Sequence, residues 1–500
     1  MQLAAGAVVA ALCLVPLAYV LGDTASVGWD PMWHLIVRQR VGDLLKNTGV
    51  LVAAGMLATA VVGTTLAWIV ERTDIPFRGL WTALLAAPLA VPAFVTSYGW
   101  VSVTDSVQST WGAVFVVTIA YYPLVFLPVA ATLHGMDPSY EETAHSLGHG
   151  PLSTFARVVL PQLRPALLGG SLLVGVHLLS EFGALQLLRY ETFTTAIYDE
   201  YQSSFSGPTA SSLATVLLLL CAVLLTAELR MRGLRRYARV GGGTARSVPR
   251  QRLGLATLPV LAVILGVITL ALGVPVGSIV RWLIVGGTTQ FPTANLLSTA
   301  LTSIFLGLAA AAVTTVLALP IAALAVRHRG PLTSALERTT YFSTALPGIV
   351  VALALVSVSL RWFEPIYQTT PLLLAAYALL FLPRSVISLR AAFAQAPTLY
   401  EDVAHSLGSG SIRTLFRVTL PLVARGLGAG AALVFIGVVT ELTATLLLSP
   451  IGTNTLATQF WAQSSQIEYG AAAPYAALMI AIAAPATFLL SRDARRATVT

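Results

Sequence analysis

Twelve apolar runs, most of them about 20 residues long, recur along this 500-residue chain, near 4–21, 49–70, 80–103, 111–133, 166–187, 211–228, 255–280, 298–326, 340–360, 370–390, 424–448 and 471–491. A run of that length crosses a ~30 Å hydrocarbon core as helix. Lipid offers no water to bond exposed peptide groups, and the runs far exceed the ~10-residue strands of a membrane barrel, so the spanning element must be the α-helix. Charged residues make up only 10% of the chain, against roughly 25% in soluble domains, and mean hydropathy is +0.80. The expectation is an all-α integral membrane protein of about twelve transmembrane helices. The two cysteines, Cys13 and Cys221, lie inside apolar runs and read as small buried hydrophobes, not as a disulfide framework. The first run is a candidate signal peptide, but no Lys or Arg precedes it and it is read as a retained helix.

An even number of spans puts both termini on one side, and the basic residues choose the side. With the N-terminus inside, 23 of the 29 Lys and Arg fall in cytoplasmic segments, leaving Arg38, Arg40, Lys46, Arg189, Arg281 and Arg361 outside. The positive-inside bias therefore predicts cytoplasmic termini and accounts for most of the +8 net charge. A nucleic-acid-binding face would need those arginines gathered in one patch, whereas they are spread over many loops, so no nucleic-acid partner is expected.

Internal repetition divides the chain further. Tyr140-Glu141-Glu142-Thr143-Ala144-His145-Ser146-Leu147-Gly148-His149-Gly150 returns as Tyr400-Glu401-Asp402-Val403-Ala404-His405-Ser406-Leu407-Gly408-Ser409-Gly410. The match continues through Thr154/Thr414, Arg157/Arg417, Val158/Val418, Leu160/Leu420 and Pro161/Pro421, with 13 of 22 positions identical at an offset of 260. Two six-helix repeats are thus fused, 1–229 and 254–500, joined by a basic linker 230–253 centred on Gly241-Gly242-Gly243. An even number of helices separates the copies, so the repeats are parallel and both repeated loops, 137–164 and 396–424, face the same side.

Each loop is too polar to be embedded. Acidic residues followed by Ala-His-Ser-Leu suit a short helix with negative charge at its positive end. Gly148 or Gly408 breaks that helix, and Leu160-Pro161 or Leu420-Pro421 marks a turn into the next span. The result is a helix–turn–helix elbow on the cytoplasmic face that a partner can grip.

These elbows resemble the inner-membrane permeases of binding-protein-dependent ABC importers. That family carries a cytoplasmic loop with Glu-Ala-Ala, three residues, Gly, nine residues, then Ile-x-Leu-Pro. Glu142-Thr143-Ala144, Gly148 and Val158-Val159-Leu160-Pro161 match the spacing, as do Asp402-Val403-Ala404, Gly408 and Val418-Thr419-Leu420-Pro421. Thr143, Val403 and Asp402 depart from it, and the neighbouring Glu141 and Glu401 leave two carboxylates able to hold the family's acidic position. The resemblance covers nearly the whole chain and implies the type I ABC importer permease fold. It further implies a bacterial inner-membrane location, two copies of an ABC ATPase docked on the elbows, and an extracytoplasmic substrate-binding protein. The ATPase-coupling residues it implies are Glu141, Glu142, Ala144, Gly148, Leu160 and Pro161, with Glu401, Asp402, Ala404, Gly408, Leu420 and Pro421. Lys46, the sole lysine, is followed by Asn47, so no G-x-x-x-x-G-K-[ST] loop exists. The chain is therefore expected to be no enzyme and to bind no cofactor, ATP being used by the partner.

For cargo, Ser180-Glu181-Phe182-Gly183-Ala184, Thr192 to Tyr198, Thr440 to Leu448 and Thr455 to Thr458 resemble the fused permeases for ferric iron. Thiamine permeases share the architecture, and phosphonate, sulfate and polyamine are further alternatives. Glu181 and Glu441, also 260 apart, sit towards the periplasmic end of the fifth helix of each repeat, where lipid makes a carboxylate costly. They are either hard oxygen ligands along the translocation path or a gate held through neighbouring helix ends and hydroxyls. Tyr198, Asp199, Glu200 and Tyr201 are read as a periplasmic loop able to bind ferric iron or dock a binding protein. His145 and His405 lack Cys or His partners at ligand spacing and point to ATPase contact, not metal; no metal site is assigned. A proton-coupled secondary transporter also has two parallel six-helix halves, but it has no need of duplicated elbows.

Overall fold

The structure, a computed structural model, describes residues 2–26, 28, 34, 37–204, 207–232, 251–286, 293–327, 330–343 and 346–497. Most of the expected linker, 233–250, lies outside them. The described chain is helical throughout, with a single isolated bridge between Thr73 and Gln251.

The first repeat comprises α1 (Gln2–Ser26), α2 (Gln39–Arg72), α3 (Arg78–Ala86), α4 (Ala93–Val101), α5 (Thr110–Tyr121), α6 (Pro123–Gly135), the elbow helix α7 (Ser139–Ser146), α8 (Leu160–Ser180), α9 (Gly183–Leu187), α10 (Phe193–Ser204) and α11 (Gly207–Arg232). The second comprises α12 (Thr257–Ile268), α13 (Val274–Val285), α14 (Thr293–Arg327), α15 (Pro331–Phe342), α16 (Gly348–Trp362), α17 (Thr370–Gln395), the elbow helix α18 (Leu399–Ser406), α19 (Leu420–Val439), α20 (Thr443–Leu448), α21 (Leu456–Ser464) and α22 (Tyr469–Ala497).

All twelve apolar runs fall on helices, but not all are unbroken spans. Among the described residues eight helices are long and apolar enough to cross a membrane, and ten if two bent pairs count as one span each. The other two runs lie on shorter apolar helices, Gly348–Trp362 and Tyr469–Pro485. The run expected at 80–103 bends by 90° between Arg78–Ala90 and Ala93–Val101. Pro92 causes the break: it has no N–H for the helix ladder, and it forces Val91 into extended backbone with φ −99° and ψ 119°. Pro123, which also has no N–H for the ladder, bends the next span by 44° while Tyr122 before it stays helical, with φ −54° and ψ −28°.

In the unit formed by 37–196 and 219–284, helices α2, α6 and α8 pack together. In the unit formed by 1–36, 197–218 and 285–500, the corresponding helices α14, α17 and α19 do the same. Glycines set these crossings. A Cβ on Gly170 of α8 would lie 2.8 Å from the Leu124 carbonyl oxygen, and its counterpart Gly430 on α19 faces Ser385 and Ser388 of α17. Small residues let helix backbones approach where lipid provides no hydrophobic drive.

The lead helices are exchanged between repeats. Val9 and Cys13 of α1 are buried among Ala318, Ile321, Leu382, Val386 and Val423 of the second repeat. The lead segment α12–α13 packs instead on the first: Trp100 Nε1 donates to the Leu270 carbonyl at 3.3 Å, and the Ser102 and Ser278 hydroxyls are hydrogen-bonded. Packed units and sequence repeats therefore divide the chain differently. Gly99 approaches Pro275 so closely that a Cβ would stand 2.6 Å from its Cα. Gly99→Val is expected to destabilise the first unit by about 1–3 kcal/mol through overpacking. Thermal unfolding in detergent checks this, with Gly42→Val, where a Cβ meets nothing within 4 Å, as the unaffected comparison.

Helices α2 and α14 run for 34 and 35 residues, about 50 Å at 1.5 Å per residue. That exceeds a ~30 Å hydrocarbon core, so the ends of these helices reach past it. Their last residues, Arg72 and Arg327, stand beside the elbows.

Candidate coupling elbows and membrane carboxylates

Both elbow helices are eight residues long and carry two acids in the first turn, Glu141 and Glu142 or Glu401 and Asp402, where the helix dipole favours negative charge. The two positions do different work. Glu141 Oε1 accepts from Arg72 Nη2 at 2.7 Å, with Arg72 only 4% exposed, and Glu401 Oε1 accepts from Arg327 Nη2 at 3.0 Å. Glu142 and Asp402 are exposed. The sequence left either carboxylate of each pair open for the family's position; the structure commits the first to its own repeat and leaves the second facing outward.

Each elbow closes in the same way. Gly148 and Gly408 adopt φ +82° and +80°, a left-handed conformation that glycine takes without steric cost. The Gly148 N–H donates to the His145 carbonyl and the His149 N–H to that of Ala144, both at 3.0 Å; Gly408 and Ser409 repeat the pattern on His405 and Ala404 at 2.9 Å. These are the paired bonds of a Schellman C-cap. His145 Nδ1 lies 3.1 Å from the His149 carbonyl oxygen and His405 Nδ1 3.0 Å from that of Ser409, so each exposed imidazole locks its own turn. Leu147 and Leu407 at the tips are 73% and 82% exposed.

The turn expected at Leu160-Pro161 and Leu420-Pro421 is absent. A helix instead starts at Pro151 or Ser411 and passes through one π-turn, Phe155–Val159 or Leu415–Thr419, into α8 or α19. The Leu160 N–H bonds Phe155 and the Leu420 N–H bonds Leu415, five residues back. This wider turn fits a proline that can neither donate to the ladder nor pack tightly against the preceding carbonyls.

At the far end of α8 and α19 the helix breaks at Glu181 and Glu441. Glu181 Oε1 accepts from the Ala184 N–H at 3.0 Å, and Glu441 Oε1 from the Ala444 N–H at 3.0 Å, so each carboxylate caps the short helix after it. Glu181 Oε2 also accepts from the Tyr121 hydroxyl. The carbonyls of Glu181 and Glu441 accept from the hydroxyls of Thr194 and Thr445, and Glu441 Oε1 lies 3.4 Å from where a Cβ on Gly348 would be, at the start of α16. Each repeat thus has a half-buried carboxylate set among helix N-termini and hydroxyls. Tyr198, Asp199, Glu200 and Tyr201 lie along α10, a helix and not the expected loop. The Thr192/Thr195 bonds at its start, mirrored by a Thr455/Thr458 capping box before α21, make Thr-x-x-Thr the sequence sign of this helix. Among the described residues no group of three His, Cys, Asp or Glu side chains is placed to hold a metal ion.

Elbows at one end of the helix trio and broken helices at the other are built twice, once in each unit. The chain belongs to the family of binding-protein-dependent transport system inner membrane components, whose profile matches residues 44–230 and again 314–498. It is 36% identical over 487 residues, 97% of its own length and 96% of the other's, to the Fe(3+)-transport system permease protein FbpB 2 of Haemophilus influenzae. It is also 31% identical over 235 residues, 43% of this chain and 84% of the relative, to the sulfate transport system permease protein CysT of Escherichia coli. With CysW of the same organism the identity is 26% over 232 residues, 43% of this chain and 80% of that one.

Proposed function

We propose that this permease imports ferric iron, delivered by an extracytoplasmic binding protein and driven by two copies of a separate ATPase seated on the elbows. The observation that carries the ferric reading is the 36% identity along 97% of the chain to a protein named for Fe(3+) transport. The sulfate permeases resemble less than half of it. The arginine distribution supports elbows and termini in the cytoplasm. In this reading the exposed Glu142 and Asp402, with the apolar tips Leu147 and Leu407, meet the ATPase, while Gly148 and Gly408 fix the angle at which they do so. ATP is bound by the partner, and this chain holds no cofactor of its own. Glu181 and Glu441 act as gate residues, each holding together the helix ends of its own repeat, because Glu181 is already engaged by the Tyr121 hydroxyl and the Ala184 amide, and Glu441 Oε1 by the Ala444 amide.

Uptake in a deletion strain tests the cargo, comparing radiolabelled ferric iron, sulfate and thiamine under starvation for each. Loss of iron uptake alone, restored by the gene, is the expected result. Intact iron uptake with loss of another solute removes the ferric assignment.

A further inference from the structure

We propose that Arg72 and Arg327 are positioning residues that brace each elbow against the second long helix of its own repeat, so that a push on the elbow reaches that helix directly as well as the two that flank the elbow in the chain. The inference rests on the coupling reading above and assigns a role to residues outside the elbow motif.

The elbow helices have little else to hold them. Ala144 is the sole buried side chain of α7, and α18 has none. Covalently, each elbow is joined to α6 or α17 by three residues, 136–138 or 396–398, and to α8 or α19 through its C-cap turn and a π-turn, whose irregular ladder makes it a yielding joint. An elbow held by its two chain ends alone can pivot about the line between them when pushed. The ion pair adds a third attachment, off that line and in the elbow's first turn, and converts the pivot into a braced corner.

The arginines are set for this. Each is the last residue of a long helix, where the dipole favours a cation. Each guanidinium also lies 6.0 Å from an aromatic ring centroid, Trp68 for Arg72 and Phe393 for Arg327. Trp68 meets Phe155, the first residue of the π-turn, edge to face at 5.0 Å. In both arginines Nε is buried without a hydrogen-bond partner, and the elbow carboxylate is the anion in direct contact with a largely desolvated cation, to which Glu71 adds a further negative charge near Arg72. The same pair recurs in both repeats although the arginines are 255 apart and the glutamates 260, so the contact has survived a change in the length between them.

The second elbow is fastened more heavily. Arg327 Nη1 also donates to the Ala396 carbonyl at 3.2 Å, and the Thr419 hydroxyl donates to Glu401 Oε1 at 3.0 Å, where the first repeat has Val159. Removing Arg327 therefore leaves Glu401 one partner, whereas removing Arg72 frees Glu141 from its brace.

The test uses the full transporter, with ATPase and binding protein, in proteoliposomes loaded with ATP, reading ferric iron uptake and ATP hydrolysis together. Arg72→Met is expected to keep the ATPase bound and its hydrolysis within about twofold, yet to cut uptake at least tenfold, raising the ATP spent per iron. Arg327→Met is expected to do the same less severely. The exchange Arg72→Glu with Glu141→Arg is expected to restore at least a third of the uptake, which a loss of folding would not allow. Normal uptake in Arg72→Met overturns the proposal. So does a fall in ATPase retention or hydrolysis that matches the fall in uptake, because that marks docking or folding and not bracing. Glu142→Lys with Asp402→Lys tests the underlying reading separately. Release of the ATPase upholds the elbows as its seat whatever the arginine variants do, and unchanged ATPase binding and uptake remove the seat and the brace together.

Discussion

Replacing Gly148 and Gly408 together by proline is expected to reduce uptake by at least tenfold while the protein stays inserted in the membrane. Both glycines sit at φ near +80°, whereas the proline ring holds φ near −65°. Proline also removes the N–H that bonds His145 or His405, worth about 1 kcal/mol, and the left-handed conformation costs a substituted residue roughly 1–2 kcal/mol more. The membrane helices pack through other residues, so the chain keeps its fold and the elbows lose their set angle. Alanine at both positions keeps the N–H and is expected to give an intermediate loss. Quantifying membrane-inserted protein alongside uptake checks this. Full transport by the double proline variant would mean that the elbows do not carry the coupling.

The second large effect is expected at the membrane carboxylates, and its sign depends on the side chain introduced. Glu181→Ala uncaps α9 and removes the carboxylate that accepts from the Tyr121 hydroxyl, together about 2–4 kcal/mol of local stability. Uptake is expected to fall at least tenfold, and Glu441→Ala to act similarly on α20. Glutamine distinguishes a cap from a metal ligand. Its carbonyl oxygen still accepts from the Ala184 N–H, and its amide donates to the Tyr121 oxygen in place of the present bond. Glu181→Gln is therefore expected to retain uptake within about threefold. A glutamine variant as inactive as alanine would show that charge, not capping, is required, and would return the carboxylates to the role of ferric ligands.

The apolar runs and the 260-residue repeat made the helical class and the duplication legible, because span length and self-similarity are properties of contiguous sequence. The elbow helices and their glycine caps were legible for the same reason: each is built within about ten residues. The breaks at Glu181 and Glu441 were not, because the runs 166–187 and 424–448 read as continuous spans while the helices end at Ser180 and Val439. What sequence did not reveal was contact between distant segments. Arg72 meets Glu141 across 69 positions, Arg327 meets Glu401 across 74, and α1 packs on the second repeat. No periodicity encodes such pairings. Local errors had local causes. Pro92 turned one expected span into a 90° break, and a π-turn absorbed the prolines that had suggested a loop end at 161 and 421. The Thr-x-x-Thr caps made a helix of the segment around Tyr198 that its polarity had marked as loop.

Reconstitution tests most directly whether this chain couples ATP hydrolysis by a partner to inward movement of ferric iron. Proteoliposomes holding the permease with its ATPase, supplied with binding protein loaded with radiolabelled ferric iron, are predicted to accumulate the label only when ATP reaches the elbow side. The double proline variant is predicted to abolish that accumulation. Accumulation without ATP, or ATP-driven uptake of sulfate in place of iron, would contradict the account.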